Sequence, residues 1–271
     1  MNWSMIQKLR IVTVTILCAI YCVAPSFASA EKQKHKLLTL EAAGNIKFAS
    51  QLIAKAYFYK QQGVRLDHAA EDLKKSLALL QKDLLIIQDG IKEGDKEENI
   101  VIFLEYTLDE LQEIISKPYT REHGALILDY SDSMLEGADA VASKHMHEGN
   151  AEEKVLLTSE YMLFLMERIN KFYIAYQAGF RDYNIIVQLK EAVQSFEDAL
   201  TKINAYTKYS ESALEARNKI NEFWPVAKEF FIDIQKGALP VIVLTSVEKL
   251  EKELRVLEDF HHKNLLDDNN S

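Results

Sequence analysis

The stretch that decides the fold is GNIKFASQLIAKAYFYKQQGV, residues 44–64. Its apolar residues recur every three or four positions, which is the spacing of one face of an α-helix. Gly63 is placed to end that helix, because glycine adopts the left-handed conformation common at helix C-termini. A degenerate copy, EYMLFLMERINKFYIAYQAGF, follows 116 positions later at residues 160–180. We therefore predict an internal repeat built on two equivalent helices.

The two copies share residues at matched positions, and the same offset continues beyond them. Matching pairs include Lys55 and Lys171, Tyr57 and Tyr173, Gln61 and Gln177, Gly63 and Gly179, and Arg65 and Arg181. A heptad seam of Leu73, Leu77, Leu80, Leu84 and Ile87 returns 116 positions later as the equally apolar Leu189, Val193, Phe196, Leu200 and Ile203. Two further apolar patterns keep the offset. Four patterns at one offset indicate tandem duplication.

The complete pattern predicts eight long helices in an all-α fold. Their expected spans are 37–62, 67–89, 97–117, 123–147, 153–178, 183–206, 210–236 and 240–264. Short links place neighbouring helices antiparallel, so we predict two tandem antiparallel four-helix bundle units, residues 31–149 and 150–271. One elongated bundle array is the alternative if the units share a long helix. Pro225 lies inside the seventh span and predicts a kink or a break there.

Residues 1–30 have the pattern of a signal peptide. Lys8 and Arg10 precede an apolar run at 11–24, and an A-x-A motif ends at Ala30. We predict cleavage after Ala30 and a periplasmic or secreted mature chain. An uncleaved anchor is the alternative, although the run is shorter than the roughly 20 apolar residues of a membrane span. Both cysteines lie within this segment, so the mature chain would have no thiol.

The charge balance and the motif content narrow the function. The chain has 41 acidic and 32 basic residues, a net charge of -9, which argues against nucleic acid and disfavours an anionic membrane surface. No nucleotide-binding or hydrolase motif occurs in the sequence. His145 and His147 would face away from each other on a helix, and His261 and His262 lie near a C-terminus expected to fray. We predict no enzyme, no catalytic residue, no cofactor and no metal site.

Residues 41–64, EAAGNIKFASQLIAKAYFYKQQGV, resemble the N-terminal sensory domain of PilJ-type methyl-accepting chemotaxis transducers of type IV pili. That domain is related to the periplasmic sensor domains of the NarX and NarQ nitrate-responsive kinases. The residues that match the family pattern are Ala43, Gly44, Ser50, Gln51, Ala54, Lys55 and Tyr57. The second unit keeps Arg168, Lys171 and Tyr173. The resemblance implies two tandem copies of a helical domain used in chemotaxis and signal transduction.

The resemblance also implies a ligand site. In the family's nitrate sensors, the arginine at the position of Lys47 binds the anion at a dimer interface. Lysine keeps the charge but lacks the planar fork of arginine. Lys47 and Gln51 share a helix face with Gly44 and Lys55, so these four residues form the predicted ligand site; a solvated polar face is the alternative. In the second copy Leu163 replaces the cation, so no anion is expected there.

These observations predict an exported, non-enzymatic module of sensory type. It would bind a small ligand, with an anion as one option, or a partner such as an inner-membrane transducer or sensor kinase. The family implies a homodimer. The alternative is a structural or adaptor protein of the periplasm without a small-molecule ligand. Tyr57 and Tyr173 are predicted to be packing aromatics rather than ligand contacts.

Overall fold

The computed structural model describes residues 35–91, 94, 97–145 and 150–269. Within these ranges the chain forms eight α-helices and no strand, so the all-α prediction is confirmed. The helices are α1 (35–61), α2 (Leu66–Gly90), α3 (Glu98–Ser116), α4 (Arg121–His145), α5 (Ala151–Gln177), α6 (Tyr183–Ala205), α7 (Glu211–Ile232) and α8 (Pro240–Asn269). The predicted signal peptide and its cleavage site lie outside the described residues.

The two repeated helices, α1 and α5, end in the same way. Gly63 and Gly179 both have positive φ, at 67° and 102°. The amide that follows each glycine donates to a carbonyl five residues back, Val64 to Tyr59 and Phe180 to Ala175, each at 3.1 Å. This pairing is the Schellman motif, which satisfies carbonyls left free at a helix end. The predicted glycine stop is therefore confirmed in both copies.

The second half of the chain differs from the sequence prediction in two places. The prediction at Pro225 was a kink or a break, and the break is wrong, since α7 is continuous from Glu211 to Ile232 with Pro225 inside it. Pro225 is exposed while Trp224 is buried, so the ring that cannot donate a backbone bond faces away from the core. The C-terminus also does not fray at His261. That side chain is fully buried, because α8 continues past it against α5.

The two repeated helices form the centre of the molecule. Residues 51–59 of α1 are buried without interruption, and so is nearly all of 162–176 in α5. Residue numbers increase in the same direction along both helices at their contacts. Lys47 lies over the Phe164 ring, and further along α1 the Tyr59 hydroxyl donates to Asn170 Oδ1 at 2.6 Å. The two helices therefore run parallel. A helix buried on nearly every side is typical of the interior of a large bundle.

The other helices pack around this central pair and across the two predicted units. Helix α5 contacts α6 and α8, α7 contacts α8, and α3 contacts α4. Contacts also cross between the units, since Lys171 of α5 reaches Asp132 of α4 at 2.7 Å and Arg65 reaches Glu248 of α8 at 2.5 Å. One continuous apolar cluster includes residues from all eight helices. The two predicted units thus share one core.

The helix stops give a first prediction. Gly63→Ala and Gly179→Ala should each lower the free energy of unfolding by about 1 kcal/mol, because a Cβ disfavours the left-handed backbone. Neither Cβ would meet an atom within 4 Å, so backbone strain alone sets the effect.

Gly44→Ala is the matched control, since Gly44 is exposed inside α1 with nothing within 4 Å of an added Cβ. This change should raise the free energy of unfolding by about 0.5–1 kcal/mol. Urea unfolding of the three variants measures both effects, and equal stabilities of the alanine variants at 44 and 63 would contradict the prediction.

Candidate functional site

The four predicted ligand residues occupy very different depths along α1. Gly44 is exposed, Lys47 is partly exposed, and Gln51 and Lys55 are buried. Eleven residues of helix span about 16 Å, so the row runs from the surface into the core. The structure places them on one helix but not on one accessible surface.

Lys47 is already paired within the chain. Its Nζ lies 2.6 Å from Asp139 Oδ1 on α4 and 5.6 Å from the centre of the Phe164 ring on α5. The Lys47 side chain is 24% exposed and that of Asp139 is 53% exposed. The one position that the resemblance equates with an anion-binding arginine therefore has a carboxylate beside it.

Gln51 connects α1 to α5. Its Nε2 donates to Ser50 Oγ at 2.9 Å, and its Oε1 accepts from Arg168 Nη1 at 3.3 Å. The same guanidinium also donates to Asp132 at 3.3 Å and to Gln188 at 2.6 Å. Both polar ends of the Gln51 side chain are thus used inside the fold.

Lys55 lies deepest and is surrounded by acids. Its Nζ lies 3.0 Å and 2.8 Å from the two carboxylate oxygens of Glu167 and 3.6 Å from Asp72. Burial by itself lowers the pKa of Lys55, but Glu167, Glu251 and Asp72 outweigh it and the net pKa is raised. Lys55 is therefore a charged lysine in the core.

A third carboxyl group, that of Glu251, completes the cluster around Lys55. Burial raises the pKa of Glu251 well above its ordinary value, and the neighbouring Glu167 adds to the shift. The raised pKa favours the neutral form of Glu251, which reduces the negative charge gathered around the Lys55 ammonium.

Lys171, the repeat counterpart of Lys55, has a different environment. Its Nζ lies 2.7 Å from Asp132 and 3.3 Å from the Ser131 hydroxyl, both on α4, and 4.4 Å from the centre of the Phe172 ring. Burial lowers the pKa of Lys171 to about 8, with Asp132 opposing the shift and Arg168 adding to it. The same residue type at equivalent positions thus has opposite pKa shifts, because the number of nearby carboxylates differs.

The repeated tyrosines are packing residues, as predicted. Tyr57 and Tyr173 are both buried, and the Tyr173 hydroxyl accepts from the Leu239 amide at 2.9 Å. Burial raises the pKa of Tyr57 to about 12. Its ring lies 6.0 Å from that of Tyr119 in the α3–α4 turn. These aromatic contacts attach the turns to the central helices.

The sequence did not predict a polar cluster around the buried side chain of His261, which lies against the start of α5. His261 Nδ1 lies 2.5 Å from Glu152 Oε1, and the other Glu152 oxygen accepts from the Tyr206 hydroxyl at 2.6 Å. The rings of Tyr206 and Tyr209 lie 4.9 Å and 5.5 Å from that of His261. Three elements meet here, and no local sequence pattern brings them together.

Two surface depressions lie away from the predicted ligand row. One of about 370 Å³ lies between α5 and α6 and is lined in part by Tyr161, Ser195 and Lys202; another of about 420 Å³ includes Arg217 and Asn221. In the described part of the chain, no cluster of three or more His, Cys, Asp or Glu side chains is arranged to hold a metal ion. Nor does any described helix have the length and hydropathy to cross a membrane.

Comparison with models of known protein families, with curated proteins and with solved structures finds no match for this chain. The resemblance to PilJ-type and NarX-like domains therefore stays a prediction that rests on the motif at 41–64.

The buried pair gives a second prediction. Lys55→Ala should lower the free energy of unfolding by about 3–5 kcal/mol, because Glu167 is left as an uncompensated buried charge. Lys47→Ala, at an exposed pair, should change it by less than about 1 kcal/mol. Chemical denaturation measures both, with the double variant Lys55→Met/Glu167→Leu recovering much of the loss. Similar losses for Lys55→Ala and Lys47→Ala would contradict the structure.

Lys171 gives a pH prediction. Its folded-state pKa of about 8 lies below its ordinary 10.5, so the unfolded state binds more protons between these values. Stability due to this residue therefore rises with pH across that window. Relative to Lys171→Met, the wild type should gain up to about 1.4 kcal/mol per pH unit. Urea unfolding from pH 7 to about pH 10 tests this, and parallel pH profiles would refute it.

Proposed function

We propose that this chain is an exported, non-enzymatic helical adaptor that acts through contact with a protein partner. One observation carries the proposal: both lysines of the predicted ligand row lie against carboxylates of the same chain, Lys47 with Asp139 at 2.6 Å and Lys55 with Glu167 at 2.8 Å. The positive charges of the predicted ligand residues are therefore already neutralised by acidic side chains of the same chain. This geometry supports the adaptor alternative better than a ligand-binding sensor.

The electrostatics around Lys55 oppose an incoming anion. Such a ligand would approach Glu167 and Asp72 as well as the lysine, and it would also have to leave water. Two like charges about 4 Å apart repel by about 4 kcal/mol at an effective dielectric constant of 20. The inner half of the row therefore suits a structural ion pair.

Lys47 supports a second candidate function, the binding of a small anion. Its ion pair is partly exposed, and exposed pairs are worth only about 0–1 kcal/mol. A nitrate or carboxylate could therefore compete with Asp139 at modest cost. The family resemblance places an anion at this same position.

The partner that the resemblance implies is an inner-membrane transducer or a sensor kinase, met in the periplasm. We retain that class of partner as part of the proposal. The homodimer implied by the family would form along the motif helix, but α1 is packed against α5 through residues 51–59. We propose that the second repeat takes the place of a second subunit, so light scattering should give the mass of one chain.

A thermal-shift series separates the two functions. With nitrate, nitrite and acetate as probes, against sodium chloride at equal ionic strength, the adaptor proposal expects no change in Tm. A ligand that binds only the folded state raises Tm in proportion to its occupancy. A rise in Tm with one of these anions that disappears in Lys47→Ala would contradict the adaptor proposal and favour an anion site at Lys47.

A further inference from the structure

Four turns meet at one end of the bundle. We call this surface the turn end: residues 60–68, 116–124, 177–184 and 232–243, which link α1 to α2, α3 to α4, α5 to α6 and α7 to α8. Contacts join them. Arg121 donates to the Gly179 carbonyl at 3.5 Å, and its guanidinium lies 5.5 Å from the centre of the Phe180 ring. The Tyr59 hydroxyl, two residues before α1 ends, donates to the Pro240 carbonyl at 3.4 Å.

Exposed apolar side chains concentrate at the turn end. Of the seventeen large apolar side chains that are exposed among the described residues, these four short segments hold seven. They are Leu66, Tyr119, Tyr183, Ile232, Leu239, Val241 and Ile242. Tyr183 is 81% exposed, and Val241 is 54% exposed. Single exposed apolar residues are ordinary, but a concentration of them marks an interaction surface.

The turn end also carries exposed cations, although the whole protein is acidic. Within the four segments the cations are Lys60, Arg65, Lys117, Arg121, Arg181 and Lys236, and the acids are Asp67, Glu122, Asp182 and Asp233. Arg65 and Lys117 pair with Glu248 and Glu113, two acids that lie just outside these segments. Asp182 accepts from the Ile185 amide as a helix cap, and Asp233 pairs with Lys236 at 2.8 Å. Lys60, Arg121 and Arg181 are exposed. Within the described residues none of these three cations forms an ion pair, so positive charge is available here on a chain whose net charge is -9.

A second exposed apolar patch lies on the outer face of α3 and has the opposite charge. Ile102, Phe103 and Tyr106 are all exposed there. The next turns of the same helix carry Asp109 and Glu113, also exposed. The individual apolar side chains are exposed to a similar extent in the two patches, so the neighbouring charges distinguish the partners that we expect for them.

We propose that the turn end binds the anionic surface of a lipid bilayer. The uncharged run 237–244 brings Leu239, Val241 and Ile242 to the surface at the start of α8, beside Lys236. Apolar side chains can enter the headgroup boundary while flanking Lys and Arg side chains contact lipid phosphates. This inference does not rest on the proposed adaptor function.

Vesicle sedimentation of the full chain tests the proposal. The wild type should bind vesicles of phosphatidylcholine with phosphatidylglycerol more strongly than phosphatidylcholine alone, and added salt should weaken binding. Leu239→Ser/Val241→Ser/Ile242→Ser should reduce binding to the anionic vesicles by about tenfold or more, as expected from the lost apolar insertion. The matched control Ile102→Ser/Phe103→Ser on α3 should bind like the wild type, and circular dichroism checks that both variants fold.

Hydrogen exchange locates the contact, which matters because the full chain also contains the apolar run 11–24. Anionic vesicles should slow exchange in peptides covering 236–243 and leave 98–106 unchanged. Absent binding, equal binding losses in the two variants, or binding without slowing at 236–243 would each overturn the proposal. Slowing at 236–243 by soluble poly-glutamate but not by vesicles would overturn it in favour of an acidic protein partner.

Discussion

The ion pair between Lys55 and Glu167 is the constraint around which the two halves of the chain are arranged. It joins residues 112 positions apart, with the lysine on α1 and the carboxylate on α5, and both are buried. Buried pairs contribute little net stability compared with apolar packing, but an incomplete one is strongly unfavourable. A one-turn slip of α1 along α5 would separate the charges in the core. The pair therefore selects one parallel register for the central helices.

That register has consequences for the outer helices of both repeats. Asp132 on α4 and Glu248 on α8 are 116 positions apart, the offset of the repeat. Asp132 pairs with Lys171 in the second repeat, and Glu248 pairs with Arg65 in the first. Each repeat thus supplies a carboxylate from its last helix to a cation of the other. The two cations are not equivalent, because Lys171 corresponds to Lys55 rather than to Arg65, but both ion pairs tie one repeat to the other around a shared core.

Periodicity in the sequence predicted the eight helices and the glycine stops, because spacing reports which face of a helix is buried. It could not say what that face meets. The carboxylates around Lys55 come from three other helices, so the local sequence around Lys55 does not distinguish it from a solvated lysine. The same limit hid His261, whose partners Glu152 and Tyr206 lie on two other elements. The break predicted as one outcome at Pro225 was wrong, because packing of the buried residues on both sides, Trp224 and Ala227 among them, keeps α7 continuous past the lost backbone bond.

The net charge of the sequence has a related limit, because it averages the charge over the whole surface of the protein. A net charge of -9 describes the far field, but a partner meets one patch within about 10 Å, the screening length at 0.1 M salt. Folding placed the four turns together, and with them Lys60, Arg121 and Arg181. The acidic residues of α3 lie on a different surface. Two exposed apolar patches on one acidic chain can therefore face partners of opposite charge, and only the packing of the turns determines which patch is basic.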